Sequence, residues 1–554
     1  MPDWLKHYRR DLLAGDLGAG VIVALMLIPQ GMAYAIVAGL PPVTGLYASI
    51  LPALAYALFG SSMVQSVGPA AITALMIASS LSGMAAVGSE LYATLAAQMA
   101  LMAGVVLCLW GLLRLGFLSN FLSRPVMSGF TTGAALLISG GQIAPLLGVD
   151  SLSSLAGASW NGATIGLGSL LALWLAKRAV DPLLRRLGIG GTWSAVLSRL
   201  APVFILVVAA LLTHYLGWGQ GAVKTVGAVP SGLPAIAFAA SSDHWRALLS
   251  PALLVAFMIF LTSQSAAHSL ALKRGERVRA DSELLGLGVA NIASGVSGGF
   301  AVGGSMSRSA VNYAAGANTP LAGIFAALWL VLALVAPTAW LSFIPMPALA
   351  ATIVMAVLGM IDLAAIKQAW RYDRSDAAAL LATLGGVLLL GVEEGVVLGV
   401  VLSLATLLGR SSRPNIAVLG RIPGSEHFRD VERHAAETLP GVLLLRIDAA
   451  LFFGNVDALL DRVAKLLQQR QQQGETIRHV VLVMSAVNLV DMTGLFALND
   501  LNSNLEKQGI TLNLSEVKGP VMDRLARSGL LRHKLSGRVY LSTAQAFRSL
   551  AQEN

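Results

Sequence analysis

Long apolar segments follow one another through the first 410 residues of this 554-residue chain. A helix needs about 20 apolar residues to cross a bilayer, and short polar stretches divide this region into fourteen candidate segments, several of them short or interrupted by glycine. We predict membrane spans near residues 17–39, 43–61, 66–83, 91–113, 126–148, 162–180, 194–217, 251–272, 283–299, 305–317, 320–336, 338–360, 375–391 and 393–410. The pattern therefore indicates a polytopic α-helical membrane protein.

Charged residues divide the chain into two parts. They make up about 9% of residues 1–410 and about 22% of residues 411–554, and a soluble domain has about 25%. The sequence therefore predicts a membrane domain over 1–410, a linker over 411–436 and a soluble domain over 437–554. The low charge of the first part excludes a soluble enzyme. The net charge of +9 is divided between both parts of the chain. A nucleic-acid-binding domain would concentrate it in one basic region.

Basic residues predict the orientation in the membrane. With the N-terminus in the cytoplasm, 17 Lys and Arg residues lie on the cytoplasmic side, and only Lys224 and Arg246 lie on the other side. Positive residues favour the cytoplasmic side, and an even number of spans places both termini there. The first apolar run is too long for a cleavable signal peptide and lacks a small-residue cleavage site. We therefore expect a multi-pass protein of a bacterial-type inner (plasma) membrane.

Two polar stretches rich in small residues break the third and the tenth segment. They read SVGPAA at 66–71 and GGSMSRS at 303–309, and each leads into a short apolar segment. Ala70 and Arg308 are 238 positions apart, and Gln30 and Gln264, in the first and eighth segments, are 234 apart. The similar offsets indicate a duplication of seven plus seven spans. Because seven is odd, the two repeats are expected to be inverted.

Such interrupted segments predict an anion site. A short helix that begins inside the membrane directs unpaired N–H groups and the positive end of its dipole toward the bilayer centre, and two facing N-termini favour an anion. Arg308 is the only basic residue that the predicted spans place at membrane depth, and a charge there usually has a function. Two alternatives stay open: Gly and Pro serve only close packing, or Arg308 pairs with a carbonyl or a carboxylate.

Residues 41–77, PPVTGLYASILPALAYALFGSSMVQSVGPAAITALMI, resemble the signature of the SulP sulfate-permease family of anion transporters. Similar segments are IPQGMAYAIVAGLPP at 28–42, NFLSRPVMSGFTTGAAL at 120–136, ELLGLGVANIASGVSGGF at 283–300 and SMSRSAVNYAAGA at 305–317. The resemblance covers almost the whole chain. It implies fourteen spans in two inverted repeats, a core domain that moves against a gate domain like an elevator, and a homodimer.

The resemblance also implies the residues of the anion site. Gln30 and Tyr34 would line it, although Tyr34 is equally compatible with a packing role. The backbone around Gly68 and Ala70 would close the site on one side. The backbone around Ser307, together with Arg308, would close it on the other side. Thr262, in the eighth segment, is also expected at the site.

The eighth segment departs from the family pattern. Many members carry Asp or Glu at the position that corresponds to Thr262, where a carboxylate serves coupling to sodium or protons. A threonine hydroxyl carries no charge at physiological pH, so Thr262 favours exchange or uncoupled transport. His268, further along the same segment, is the alternative titratable group.

The last part of the chain predicts a compact α/β domain. Strands are expected at 441–447 and 479–484 and amphipathic helices at 457–468 and 494–508, which together form a mixed sheet with helices packed on it. The segment NLVDMTG at 488–494 resembles a conserved turn of STAS domains. In STAS proteins that antagonise anti-sigma factors, the hydroxyl residue of this turn, here Thr493, is phosphorylated. Asp491 and Thr493 would equally serve as a helix N-cap.

The function predicted from these features is the transport of small inorganic anions or carboxylates, such as sulfate, bicarbonate, chloride or dicarboxylates. A membrane sensor or regulator that signals through its STAS domain to a cytosolic protein is the main alternative. A nucleobase permease is disfavoured by the motifs and by the positive site. The lone Cys108 and the lack of a phosphate-binding loop, a Cys/His cluster or a catalytic constellation in the sequence predict no metal, cofactor or enzymatic activity.

Overall fold

The computed structural model describes residues 3–121, 123–149, 151, 160–188, 191–219, 223–227, 230, 232–234, 236, 244–335 and 338–553. The chain forms two compact units, Met1–Ser403 and Leu404–Asn554. The first unit is built from helices and one short two-stranded ribbon, and the second contains a six-stranded sheet.

The main elements of the first unit are labelled in chain order. They are α1 (Leu13–Val37), α2 (Pro42–Phe59), β1 (Val67–Gly68), α3 (Ala71–Leu81), α4 (Glu90–Leu112), α5 (Arg124–Gly141), α6 (Trp160–Arg186), α7 (Gly191–Tyr215), α8 (Trp245–Arg274), α9 (Ala280–Val296), β2 (Gly303–Gly304), α10 (Met306–Ala314), α11 (Leu321–Val335), α12 (Met346–Leu358), α13 (Arg374–Leu389) and α14 (Val392–Ser411). Shorter helices lie at Asp3–Lys6, Arg10–Leu12, Leu115–Phe121, Ile143–Leu146, Thr338–Phe343 and Leu363–Tyr372.

Each of the fourteen predicted segments overlaps one of the helices α1–α14, and the helical membrane fold is confirmed. Among the described residues, seven helices are long and apolar enough to cross a membrane. Shorter apolar helices lie at Ala71–Leu81, Leu200–Tyr215 and Leu321–Val335. The number of crossings and the inverted repeat stay predictions.

Local sequence signals explain several helix ends. The hydroxyl of Ser89 accepts a hydrogen bond from the N–H of Tyr92 and thereby caps α4. Proline occupies the first turn of α2, α5 and α12, where its missing N–H costs no helical hydrogen bond. Gly275 ends α8 in the left-handed conformation, with a φ of 66°, which glycine adopts without strain.

The helices of the first unit pack in two groups. The first helix group consists of α1–α4 and α8–α11, with α9 packed on α4 and α2 and with α11 packed on α1. The second helix group consists of α5–α7 and α12–α14, with α13 packed on α5, α12 packed on α6, and Gly395 of α14 against Val387 of α13. The groups meet where α1 contacts α7 and α12, where α10 contacts α7, and where α3 contacts α5.

The second unit is a mixed sheet covered by helices, as predicted. Its further elements are β3 (Ile416–Arg421), β4 (Phe428–Asp430), β5 (Val442–Ile447), α15 (Val456–Gln472), β6 (His479–Val483), α16 (Met492–Lys507), β7 (Thr511–Ser515), α17 (Gly519–Arg527), β8 (Val539–Tyr540) and α18 (Thr543–Glu553), with a π-helical turn at Leu530–Lys534. The strand order is β4-β3-β5-β6-β7-β8. Pairing is antiparallel from β4 to β5 and parallel from β5 to β8.

The prediction of a linker over 411–436 is wrong, because this range contains two strands of the sheet. Ile416 of β3 pairs with Ile447 of β5, and Leu419 pairs with Asp430 of β4. Four of the six residues of β3 have apolar side chains that are buried in the cores of the unit. The folded unit therefore begins before residue 437.

Candidate anion site

A two-stranded ribbon joins the two interrupted segments. β1 and β2 are antiparallel, with Val67 opposite Gly304 and Gly68 opposite Gly303. The N–H of Ser305 donates to the carbonyl of Ser66 at 3.2 Å, which extends the pairing. Because the strands are antiparallel, α3 and α10 leave the ribbon at opposite ends. Both helix N-termini therefore point back toward it.

The two N-termini have different caps. Ala70, before α3, is extended and offers no side-chain hydrogen bond. Ser305, before α10, accepts a long hydrogen bond of 3.5 Å from the N–H of Arg308. Neither helix has an acidic residue in its first turn. The positive ends of the two helix dipoles are therefore not neutralised by their own first turns.

Arg308 is fully buried beside the ribbon, with 0% of its surface exposed. Its Nη1 donates to the carbonyl oxygen of Pro69 at 2.6 Å, so the side chain reaches from α10 to the chain just before α3. Its Nε and Nη2 atoms are buried without a hydrogen-bond partner among the described residues. Unused donors of a buried cation are costly, and an anion would satisfy them.

Gly68 leaves room for no more than a methyl group next to one of the unused donors. A Cβ atom on Gly68 would lie 3.4 Å from Nη2 of Arg308 and 3.8 Å from Oγ of Ser49. On the other strand, a Cβ atom on Gly304 would overlap the side-chain amide of Gln65. Gln65 is buried, and its Nε2 has no partner among the described residues. Each half of the ribbon is thus covered by a long polar side chain from the other half.

Gln30 and Tyr34 lie one turn apart on α1, and residues at this spacing share a helix face. The Oε1 atom of Gln30 is buried without a partner among the described residues. Tyr34 is buried, and its phenol lies within electrostatic range of the guanidinium of Arg308. Tyr34 is therefore near the candidate site, and Gln30 offers an unused polar group on the same helix face.

The eighth predicted segment, α8, meets the ribbon through Ser263 rather than through Thr262. The Thr262 hydroxyl donates to the carbonyl of Met258, in its own helix, at 2.7 Å. Ser263 is fully buried, and its Oγ accepts a 2.7 Å hydrogen bond from the N–H of Gly304. Sequence reasoning did not identify Ser263 or Gln65. The only signal for them was a polar residue within an apolar or small-residue stretch.

A buried carboxylate lies in the same helix group but is already bound. Glu283, at the start of α9, is fully buried. It accepts hydrogen bonds from the Tyr56 hydroxyl at 2.7 Å and from the Ser61 hydroxyl and N–H at 2.8 Å each. A fourth bond of 3.0 Å comes from the N–H of Ser62. These four donors stabilise its negative charge locally, so it does not neutralise Arg308 by direct contact.

Ser307, the residue before Arg308, lies in the first turn of α10. It is exposed, and its Oγ lies 3.2 Å from Oγ of Ser305. Ser307 lines a cavity of about 370 Å³ between the two helix groups, together with Lys177 and Ser198. This cavity borders the first turns of α10.

In the second unit, Asp491 is the N-cap of α16. Its Oδ1 accepts a hydrogen bond from the N–H of Gly494 at 2.7 Å, and its Oδ2 accepts one from the N–H of Phe453 at 2.9 Å. Thr493 lies in the first turn of the helix and is exposed. The cap interpretation is therefore correct for Asp491, and Thr493 is left at the surface.

Comparison with protein families gives matches to both parts of the chain. Residues 13–383 match the sulfate permease family, and residues 433–546 match the STAS domain. A probable sulfate transporter (4.2) of Arabidopsis thaliana is 35% identical over 551 residues, covering 95% of this chain and 80% of the relative. A probable sulfate transporter of Mycobacterium tuberculosis is 34% identical over 560 residues, covering 98% of this chain and 97% of the relative.

Solved structures share the fold at low sequence identity. The murine anion transporter Slc26a9 in its inward-facing state matches with a TM-score of 0.88 and 21% identity, over 100% of this chain and 93% of that one. The transmembrane domain of a cyanobacterial bicarbonate transporter, BicA, matches with a TM-score of 0.59 and 21% identity. That match covers 72% of this chain and 98% of the other.

Proposed function

The chain is a member of the sulfate permease family with a C-terminal STAS domain, and from this premise we propose that it transports small anions across the membrane. The anion binds between the N-termini of α3 and α10 and accepts hydrogen bonds from Arg308. Gln30 and Tyr34 face it from α1. The backbone at Gly68, Ala70 and Ser307 borders it.

One observation carries this proposal. A fully buried arginine, whose Nε and Nη2 donate to no described residue, lies beside two uncapped or weakly capped helix N-termini. All of these groups carry positive charge or partial positive charge. A neutral nucleobase would leave the charge of Arg308 without a counterion. An anion supplies the counterion and the missing acceptors together.

Sulfate is the first substrate to test, because relatives that are 34–35% identical over nearly the whole chain are named as probable sulfate transporters. Bicarbonate is the second, because a bicarbonate transporter shares the fold. Chloride and dicarboxylates complete the panel. Planar donors of an arginine suit oxyanions, which present two oxygens to the guanidinium fork.

Alternating access requires the first helix group to move against the second. The groups meet where α1 and α10 contact α7, and a cavity lies between them at Ser307. We propose that this boundary permits an elevator-like movement of the first group with its bound anion. Thr262 donates to its own helix and carries no charge. We therefore propose exchange or facilitated transport without coupling through an acidic residue at this position.

The test is flux in liposomes containing the purified chain, with labelled sulfate, bicarbonate, chloride or a dicarboxylate inside or outside. We expect flux of at least one anion, and a loss of roughly tenfold or more in Arg308→Gln, since a charge-assisted hydrogen bond contributes about 1.5–3 kcal/mol. The matched control is Arg178→Gln, which removes an exposed arginine that stacks on Trp174 at 4.1 Å. No flux of any anion would refute the proposal.

For the cell, we propose a homodimer in a bacterial plasma membrane with both termini in the cytoplasm. The support for the orientation is the excess of Lys and Arg on one side of the predicted spans. Lys6 and Glu553, near the two ends of the chain, are exposed. In a Cys108→Ala background, Lys6→Cys and Glu553→Cys are expected to react with an impermeant thiol reagent only after the membrane is opened. Cross-linking of the protein in membranes would test the dimer.

A regulatory role of the STAS domain is the second candidate. Thr493 is exposed in the first turn of α16, where a phosphate is favoured by the helix dipole. Mass spectrometry of the protein from its native cells is expected to find phosphate on Thr493. Finding none there, together with unchanged flux in Thr493→Asp, would refute this role.

A further inference from the structure

A hydrogen bond links the two helix groups at the far end of α3. The hydroxyl of Ser80 donates to Oε1 of Glu393, in the first turn of α14. α3 packs within the first group against α1, α4 and α8. α14 packs within the second group, where Gly399 lies against Val126 of α5. The bond therefore crosses the boundary at which the groups must move.

This bond lies on the opposite side of the ribbon from the cavity at Ser307. α3 and α10 leave the antiparallel ribbon in opposite directions. The cavity is lined by Ser307, Ala310 and Val311 of α10, whereas Ser80 and Glu393 meet near the last turn of α3. A cavity thus lies between the groups beside α10, and a hydrogen bond joins the groups beside the last turn of α3.

We propose that the Ser80–Glu393 hydrogen bond is a latch that holds the α3 side closed and that it breaks each time the anion site opens to that side. The proposal rests on the proposed transport by movement of the two groups. Ser80 and Glu393 are positioning residues: neither touches the candidate anion site, and both act on the equilibrium between the two open states.

The chemistry of the pair suits a bond that forms and breaks repeatedly. The Ser80 hydroxyl has one proton, and its Oγ also lies 2.8 Å from the carbonyl oxygen of Met76 in its own helix. When Glu393 moves away, Ser80 can donate to Met76 instead. Glu393 is only partly buried, so water can solvate its carboxylate. Opening therefore leaves no buried polar group of this pair without a partner.

Cysteine labelling measures this equilibrium directly. Ile77 is fully buried on α3 and lies three residues before Ser80, on the same helix face. In a Cys108→Ala background, Ile77→Cys is expected to react with a membrane-impermeant thiol reagent only when the α3 side opens. In nanodiscs, Ser80→Ala and Glu393→Gln are each expected to raise the labelling rate by roughly threefold to tenfold, the range for a partly exposed bond to a charged group.

The double variant distinguishes a latch from general damage. If the two residues act through one bond, Ser80→Ala with Glu393→Gln labels no faster than either single variant. The matched control is Glu394→Gln, on the exposed next residue of α14, which is expected to leave the rate unchanged. Unchanged rates in both single variants, an equal rise in the control, or additive rises would each overturn the latch.

The thiol-labelling experiment requires neither a bound anion nor anion transport, so it can be carried out even if no substrate is found. A protein that carries no anion would refute the proposed function, and the labelling rates would still decide whether the bond restrains the α3 side.

Discussion

The short helices α3 and α10, which both begin at the ribbon and are called half-helices below, have the same backbone arrangement but different side chains. Each follows a two-residue strand of one antiparallel ribbon, and each presents its N-terminus to that ribbon. α3 begins after Ala70 with small and apolar residues, whereas α10 begins after Ser305 and carries the buried Arg308. The backbone thus supplies two similar dipole ends, and the full charge comes from one half only.

The two strands of the ribbon also differ from each other in their side-chain contacts. Arg308 covers Gly68 of the first strand, and Gln65 covers Gly304 of the second strand. The space at Gly68 adjoins the unused Nη2 of Arg308, whereas Gly304 has no space for a Cβ atom. We infer that Gly68 keeps side-chain atoms away from Nη2 of Arg308 and that Gly304 permits close packing with Gln65. Substitutions at the ribbon and at its neighbours test this difference.

The largest effect is expected at Gly68. In Gly68→Leu, the side chain would occupy the space next to Nη2 of Arg308, and we expect anion affinity to fall by about 100-fold or more, as for a displaced charge-assisted pair. In Gly68→Ala, the Cβ would be at a 3.4 Å contact distance, and affinity is expected to change by less than about threefold. Calorimetric titration with sulfate measures both. Equal effects of Ala and Leu would contradict a ligand space at this position.

At Gly304, even alanine is expected to be harmful. Its Cβ would overlap the side-chain amide of Gln65 and lie 3.1 Å from Cβ of Ser263. Such overpacking typically costs about 1–3 kcal/mol, so Gly304→Ala is expected to lower the midpoint of thermal unfolding while Gly68→Ala does not. Gln65→Ala in the Gly304→Ala background is expected to restore part of the loss. A tolerated Gly304→Ala would show that this strand is not closely packed.

The neighbours on α8 give a third test of the ribbon. Ser263→Ala removes the acceptor of the Gly304 N–H, and leaving a buried donor unsatisfied costs about 1–3 kcal/mol. Thr262→Val removes a hydroxyl that bonds only its own helix, so a smaller loss of unfolding free energy is expected.

Sodium and pH gradients are expected to leave anion flux unchanged in the Thr262→Val variant and in the unaltered protein. Strictly sodium-dependent flux would refute the inference drawn from Thr262.

The smallest effect is expected at the cap of α10. Ser305→Ala removes a helix cap, which typically lowers the free energy of unfolding by about 1 kcal/mol. Because the hydrogen bond of this cap is long, at 3.5 Å, we expect a loss below that value. Ser307→Ala, in the same turn, is the control because its hydroxyl is exposed. Thermal unfolding of the two variants measures the difference. A larger loss for Ser307→Ala would contradict the assigned cap.

The sequence predicted the site's backbone better than its side-chain contacts. Breaks in apolar segments and the cost of a charge within the membrane were sufficient to find both half-helices and Arg308. Ser263 was missed although Thr262 was considered, because successive helix residues point about 100° apart and a residue count cannot decide which of two neighbours meets the ribbon. Gln65 was missed because its role depends on a contact with Gly304, 239 positions away.

The soluble unit shows a similar limit. Its strands β5 and β6 were predicted from short apolar runs, and their bounds agree closely with the structure. β3, which is as long as β5, was assigned to a linker. It belongs to the sheet because it pairs with β5, which lies beyond β4 along the chain, and a local pattern does not reveal such a pairing.

The most direct test of the anion site is a titration of the purified protein with sulfate and the other anions, comparing the unaltered chain with Arg308→Ala. Arg308→Ala removes the positive charge and the two donors that bond no described residue, so the affinity for the transported anion is expected to fall by roughly tenfold or more. Arg178→Ala, away from the site, is expected to bind normally. Unchanged affinity in Arg308→Ala would contradict the account, because it would show that the anion does not bind at this arginine.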